Sequence, residues 1–419
     1  MGDSLALVGG ALAAQGMFFL AAPLITRLFR PSDLGLLATT MSLVLLGRQL
    51  ATLNYHQAIP VVPGDRTARR LATLTLTTSV GFAIMAALLL GAGAALPLQG
   101  PFGEWLDLMW WVAPLMLLAI CINDVLSYSV TRSGPIRSLG EARLGQGAAY
   151  VGGQVIAGLL LPVASLLCLA YAAGFAVSNS WLVFRRHGRP ILARSSPGRL
   201  WALARRFHRY PRYIMPSNLM AQAGTELPSL LIASLYGLRE AGLFFLTVRI
   251  IGLFNQMLGE SATWITYARM AELARSDPGA LRRFTFRFAG LGVFVGGPLV
   301  IALAAVAAWL APYLLGPEYR EVRWIILLVS FSLPFQIFLL PFAALNILGA
   351  EALQMKTLIG RLALIGACVA LPAVLGLSFV WVVAGYGLGM SLAFILVFYV
   401  WTRALPKPDP QTAGAAAGR

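Results

Sequence analysis

Charge is what this sequence has least of. Only 11% of its 419 residues are Asp, Glu, Lys or Arg, against about 25% in a water-soluble domain. So few charges cannot cover a water-facing surface, which excludes a soluble catalytic domain. Lysine is nearly absent, with Lys356 and Lys407 the only two. Cysteine and histidine occur three times each. Cys121, Cys168 and Cys368 lie far apart within apolar runs, and His56, His187 and His208 are equally scattered. Neither a disulfide framework nor a metal site is expected from such spacing, and no cofactor is expected.

What fills the chain instead is apolar: 58% of residues are hydrophobic and the mean hydropathy is +0.77. A membrane-spanning helix needs about 20 largely apolar residues. Twelve such runs are readable, near 4–26, 34–54, 71–96, 106–130, 143–162, 163–184, 211–235, 241–265, 284–312, 322–348, 356–376 and 378–402. The tightest breaks between neighbours fall at Leu161-Pro162 and at Leu375–Ser378. The first run has no basic segment before it and reads as a retained span rather than a removed leader. The expected fold is therefore an all-α integral membrane protein of about 12 transmembrane helices.

The net charge of +16 would fit a nucleic-acid partner, but the basic residues sit in short loops between apolar runs. That is the orientation signal of a membrane protein, and no nucleic-acid partner is expected. With both termini cytoplasmic, 25 basic residues fall inside and 5 outside, while Arg48 and Arg249 lie within spans, accounting for all 32. The longest connection, Arg185 to Arg212, holds nine arginines and reads as a linker resting on anionic headgroups. It divides the chain into a six-helix lobe over 1–184, a basic linker over 185–210, a second six-helix lobe over 211–405 and a tail over 406–419.

The two lobes share local patterns. Leu28-Phe29-Arg30-Pro31-Ser32-Asp33-Leu34-Gly35 precedes span two, and Leu235-Tyr236-Gly237-Leu238-Arg239-Glu240-Ala241-Gly242 precedes span eight. Each runs from Leu-aromatic through a turn to an acid at a helix start, followed two positions later by a glycine suited to close packing in lipid. A second pair, Glu104-Trp105-x-Asp107 with Trp110 and Glu318-Tyr319-x-Glu321 with Trp324, lies in outer loops with aromatics expected at the interface. The halves run in the same direction, so the repeat is parallel, which suggests a cleft between lobes and alternating access.

The same residues carry a family resemblance. Pro23–Gly35, then Leu53-Asn54-Tyr55-His56-Gln57-Ala58-Ile59-Pro60, resembles the first hairpin of bacterial polysaccharide repeat-unit flippases. Tyr210-Pro211-Arg212-Tyr213, Pro216-Ser217, Leu227-Pro228 and Ala241–Phe244 are similar to the start of that family's second half. The family often has Glu after the Tyr, where this chain has His56 and Gln57, which puts in doubt any role tied to that acid. The resemblance places the chain in the multidrug, oligosaccharidyl-lipid and polysaccharide exporter superfamily. It implies two lobes moving undecaprenyl-diphosphate-linked oligosaccharide from the cytoplasmic to the outer leaflet of a bacterial inner membrane. The expected partners are the lipid-linked cargo, a glycan polymerase with its chain-length machinery and, from the basic linker, anionic membrane lipids.

Passing a diphosphate and many hydroxyls through hydrocarbon calls for a wet, cationic cavity, and arginine suits phosphate through its planar fork. Arg48 in span two and Arg249 in span eight occupy equivalent spans, and a charge at such depth normally faces a cavity or a partner. For Arg48, snorkelling to the interface is the competing reading. Asn255, in the span of Arg249, joins the candidate cavity residues. Arg27 and Arg30 end span one, either to receive the diphosphate or to anchor the interface. Asn218, Gln222 and Glu226 share one helical face, as a cavity stripe or as a hydrogen-bonded helix seam. The acids Glu226, Asp124 and Glu260 are candidates for charge pairing or ion coupling, with interfacial exposure the simpler expectation for Asp124 and Glu260. Rival functions are a cation-coupled drug or metabolite exporter of the same fold, a peptidoglycan-precursor flippase, which usually has two further spans, and a membrane glycan polymerase or ligase. The last needs a catalytic outer loop, and the outer loops here are short and lack histidine.

Overall fold

The computed structural model describes residues 2–96, 101–134, 136–185, 191–252, 270, 272–273, 278–338 and 351–404. Among these residues every regular element is helical. The first seven helices are α1 (Gly2–Leu28), α2 (Pro31–Thr52), α3 (Asp65–Ala94), α4 (Pro101–Met109), α5 (Val112–Ser133), α6 (Arg137–Leu160) and α7 (Ala164–Arg185). A short helix α8 (Pro197–Arg206) and a π turn (Tyr210–Ile214) lead into α9 (Met215–Tyr236) and α10 (238–252). Then come α11 (Pro278–Leu291), a second π turn (Gly292–Gly296), α12 (Gly297–Leu315), α13 (Val322–Ser330), α14 (Glu351–Val374) and α15 (Phe379–Ala404).

Seven described helical stretches are long and apolar enough to cross a membrane, and Leu12–Leu28 of α1 is a shorter apolar one. Helices α6 and α9 match expected spans in length, at 24 and 22 residues, but carry more polar side chains. The eighth and tenth expected spans continue beyond residues 252 and 338, outside the described residues. The two tightest breaks are real helix ends: α6 stops at Leu160 and α7 starts at Ala164, and α14 stops at Val374 before α15 begins at Phe379.

Two compact units form, and they do not divide at the basic linker. The first contains Met1–Leu246 with Tyr313–Arg320, and the second Thr247–Pro312 with Glu321–Arg419. Helix α9 and the start of α10 thus pack within the first unit, because α9 lies along α2.

The repeated glycines explain that packing. A Cβ on Gly35 would overlap the Leu238 carbonyl oxygen, and a Cβ on Gly242 would overlap the Pro31 carbonyl oxygen. Pro31 and Leu238 are 207 positions apart, as are Gly35 and Gly242. The two halves of the repeat therefore meet here through the same residues on each side, as a local two-fold contact would require. Small residues permit such close backbone approach between helices in lipid, where packing rather than the hydrophobic effect drives association.

The second repeated motif behaves differently from expectation. Trp105 and Tyr319 are buried in the first unit, not spread at an interface. Trp105 Nε1 donates to Thr40 Oγ1 at 2.8 Å, and the Tyr319 hydroxyl donates to the Phe29 carbonyl at 2.8 Å. Their neighbours Trp110 and Trp324 are the exposed aromatics of each motif. A buried indole or phenol needs a partner for its polar end, and both find one on the hairpin α1–α2.

Candidate functional site

The polar residues of the first unit gather at the end of α2. The helix stops because Leu53 and Asn54 both take left-handed backbone, with φ of 47° and 57°. Asparagine tolerates this region, while for leucine it costs about 1–2 kcal/mol. Strain of this kind persists only where the surroundings hold it. The chain beyond these residues is held by Arg132 of α5: its Nη1 donates to the carbonyls of Ile59 (3.1 Å) and Val62 (2.6 Å), and its Nε lies 3.1 Å from Asp65. The turn from 53 to 64 is thereby stapled to α5.

Above this turn, α2, α5, α6 and α7 enclose a cavity of about 480 Å³, within the range of small-molecule sites. Its polar lining includes Arg48, Asn123, Asp124, Tyr128, Arg143 and Gln146. Arg48 Nε and Asp124 Oδ2 form an ion pair at 3.1 Å, with the side chains 29% and 15% exposed. Asp124 was expected at an exposed span end. Instead α5 turns it inward, and burial of a carboxylate requires a partner such as Arg48. Asn123 Nδ2 donates to Ser178 Oγ (2.8 Å) and Asn179 Oδ1 (2.9 Å), tying α5 to α7. His56, only 1% exposed, sits edge-on to Tyr128 with centroids 4.9 Å apart. Burial, reinforced by the charge of Arg48, pushes the His56 imidazole down to about 3, so it is neutral at ordinary pH.

Several buried polar atoms here have no hydrogen-bond partner in the protein: Arg48 Nε, Gln49 Oε1, Asn54 Nδ2, His56 Nδ1 and Asp124 Oδ2. The Arg48–Asp124 contact is close but not aligned as a hydrogen bond. Buried polar groups are seldom left unmatched in a native protein. The mixture of donors and acceptors suits hydroxyl-rich or phosphorylated groups, and Arg143 adds an exposed cation at the rim.

On its other face α2 meets α9. Ser42 Oγ donates to Glu226 Oε2 at 2.8 Å, and Gln222 Nε2 donates to Glu226 Oε1 at 3.0 Å. Asn218 Nδ2 donates to Asn54 Oδ1 at 3.2 Å, as does Gln57 Nε2 at 3.1 Å. Asn218, Gln222 and Glu226 do share one face of α9, and that face is used as a hydrogen-bonded seam to α2.

The remaining candidates lie elsewhere. Arg27 and Arg30 are exposed around the end of α1, and the Arg30 backbone N–H donates to Asp33 Oδ2 at 3.0 Å, capping α2. Arg249 is half-buried in α10, in the second unit. Asn255 and Glu260 lie outside the described residues. Sequence reasoning missed Asn54, Asn123, Arg143 and Gln146 as site residues. Arg361, within the eleventh expected span, stands in α14 with its guanidinium 5.5 Å from the Phe394 ring centroid.

These features define a multi-pass membrane protein with a polar interior in its first unit. Comparison with known proteins agrees. A family described as polysaccharide biosynthesis protein matches residues 189–323. No curated protein sequence matches the chain. Among solved structures, an inward-facing multidrug resistance MATE family transporter of the MOP superfamily is similar, at 16% identity and TM-score 0.72, covering 93% of this chain and 94% of that one. A MATE in complex with MaL6 is similar at 16% identity and TM-score 0.55, covering 96% and 90%. A MOP superfamily transporter from Pyrococcus furiosus, described by a reversed polarity of its binding pocket, is similar at 16% identity and TM-score 0.53, covering 96% and 94%. The fold of the chain is similar to that of these transporters.

Proposed function

We propose that the protein flips undecaprenyl-diphosphate-linked oligosaccharide repeat units from the cytoplasmic to the outer leaflet of a bacterial inner membrane, by alternating access. One observation carries this reading: a polysaccharide-biosynthesis match over 189–323 sits on a transporter fold. The cationic, hydroxyl-compatible pocket around Arg48 and Arg143 supports it. A diphosphate needs paired donors on a fixed cation, and sugar hydroxyls need donors and acceptors together. In this proposal Arg48 and Arg249 serve the head group while the polyprenyl tail stays in lipid, and a glycan polymerase with its chain-length machinery takes the product.

Deletion in the native host tests it. Lipid-linked repeat units should accumulate and surface polysaccharide should be lost. Arg249→Ala should reproduce the loss while the protein still inserts, and normal polymer from that variant would remove Arg249 from the mechanism. Unchanged lipid-linked pools with altered drug sensitivity would replace the flippase by an exporter.

A further inference from the structure

Helix α8 has an unusual surface for so short an element. Its residues Leu200, Leu203 and Ala204, with Phe207 beyond its end, are half-buried against the cluster formed by Tyr55, Ala58 and Leu71. This is the i, i+3, i+4, i+7 stripe of a docked helix. The opposite face carries Trp201, 63% exposed, with the Arg205 guanidinium 5.2 Å from its ring centroid. Arg206 stands 5.9 Å over Phe207 and Arg212 5.4 Å over the exposed Tyr213. Arg199, Arg205 and Arg206 are all exposed. No acidic residue occurs anywhere between Glu141 and Glu226, so nothing in this stretch of sequence offsets the arginines.

A soluble face would mix both charges and would not present an indole to water. An exposed tryptophan among arginines on a short amphipathic helix matches the interface between headgroups and acyl chains. We propose that the outer face of α8 is a binding surface for anionic phospholipid headgroups, with Trp201 seated at the acyl boundary and Arg199, Arg205 and Arg206 on the phosphates. The helix rests on the 55–58 turn, and the Tyr55 hydroxyl reaches the Ala204 carbonyl at 3.5 Å. Lipid held by α8 therefore bears on the turn that carries His56 and adjoins the Arg48 pocket. The proposal is independent of which cargo the protein moves.

The test uses the full-length protein with Cys121, Cys168 and Cys368 replaced by alanine and an environment-sensitive fluorophore on Ala202→Cys, a position exposed on α8. The protein is placed in nanodiscs of phosphatidylcholine alone or with about a third phosphatidylglycerol. Phosphatidylglycerol should shift the emission to the blue, and high salt should reverse the shift. Arg199→Gln, Arg205→Gln and Arg206→Gln together should weaken the apparent affinity for phosphatidylglycerol roughly 100-fold. A charge-matched control, Arg282→Gln, Arg283→Gln and Arg287→Gln, should retain the shift. Equal emission in both membranes, or equal loss in the control, would overturn the proposal. A shift that survives the triple arginine change but is lost in Trp201→Ser would assign the face to apolar insertion instead. Reproduction of the shift by inorganic phosphate in phosphatidylcholine discs would assign it to a soluble anion.

Discussion

The two faces of α2 solve the same problem in different ways. Toward α5 it presents Arg48 to Asp124, a pair of full charges beside a cavity. Toward α9 and α10 it presents Gly35, Ser42 and, just past its end, Asn54, which meet carbonyls, a carboxylate and an amide at close range. The first face keeps polar atoms available for something else. The second consumes them in packing. Charge costs most where it loses its partner, whereas neutral hydrogen bonds are worth little net when exchanged for similar ones.

Breaking the charged face should have the largest effect. Asp124→Ala leaves Arg48 uncompensated and should destabilise the protein by about 3–5 kcal/mol, because an unpaired charge is left in a poorly solvated site. The double change Arg48→Met with Asp124→Leu should recover most of that loss. Thermal unfolding in detergent across the double-mutant cycle measures both, and additive losses would show that the pair is not coupled.

The close-packed face comes next. Gly35→Ala and Gly242→Ala should each cost about 1–3 kcal/mol, since the added methyl must push a backbone carbonyl aside. Gly152→Ala, with open space around it, should be neutral or stabilising by about 0.5–1 kcal/mol. The same unfolding assay checks all three. Clearly unequal costs at Gly35 and Gly242 would break the two-fold equivalence of the contact.

Acid sharpens the difference between the faces. His56 is buried neutral, so its folded value, about 3, lies below the ordinary 6.5 of the unfolded chain. Between these values the unfolded state binds the extra proton. Stability is therefore complete above pH 6.5 and falls by about 1.4 kcal/mol per unit as pH drops below it. His56→Phe should flatten that slope in unfolding measured from pH 7.5 to 5, conditions set by the unperturbed histidine value of about 6.5. A slope that survives the substitution would trace the acid sensitivity to other groups.

The smallest effect is expected at the seam. Glu226→Gln keeps an acceptor for the Ser42 hydroxyl and should change stability by about 1 kcal/mol or less. A larger loss would show that the carboxylate charge itself matters there, and a transport assay on the same variant would then tell coupling from packing.

Much of the architecture was legible because its cause is composition. Long apolar runs with sparse, one-sided charge leave a chain few options besides spanning helices, and the breaks at Leu161–Val163 and Leu375–Ser378 followed from Pro, Gly and helix length. The repeat was legible too, as Gly35 and Gly242 stood at matching offsets from matching acids. The site was legible only in part. Arg48 stood out as a charge in an apolar run, but its partner Asp124 looked like an exposed end residue. Asn54 entered only as part of the 53–60 motif, with no role of its own, and Asn123 gave no signal.

By itself the sequence determined that this is a helical membrane protein with two like halves, because hydrocarbon admits only backbones that satisfy their own polar groups and apolar runs of about 20 residues do so as helices. Only the tertiary structure decided which polar side chains meet. Helix rotation sets whether a residue faces lipid, a neighbour or a cavity, and the angle that α5 adopts turns Asp124 toward Arg48. That angle is chosen by packing of several helices at once, through contacts such as Gly35 on Leu238, and no single stretch of residues encodes it.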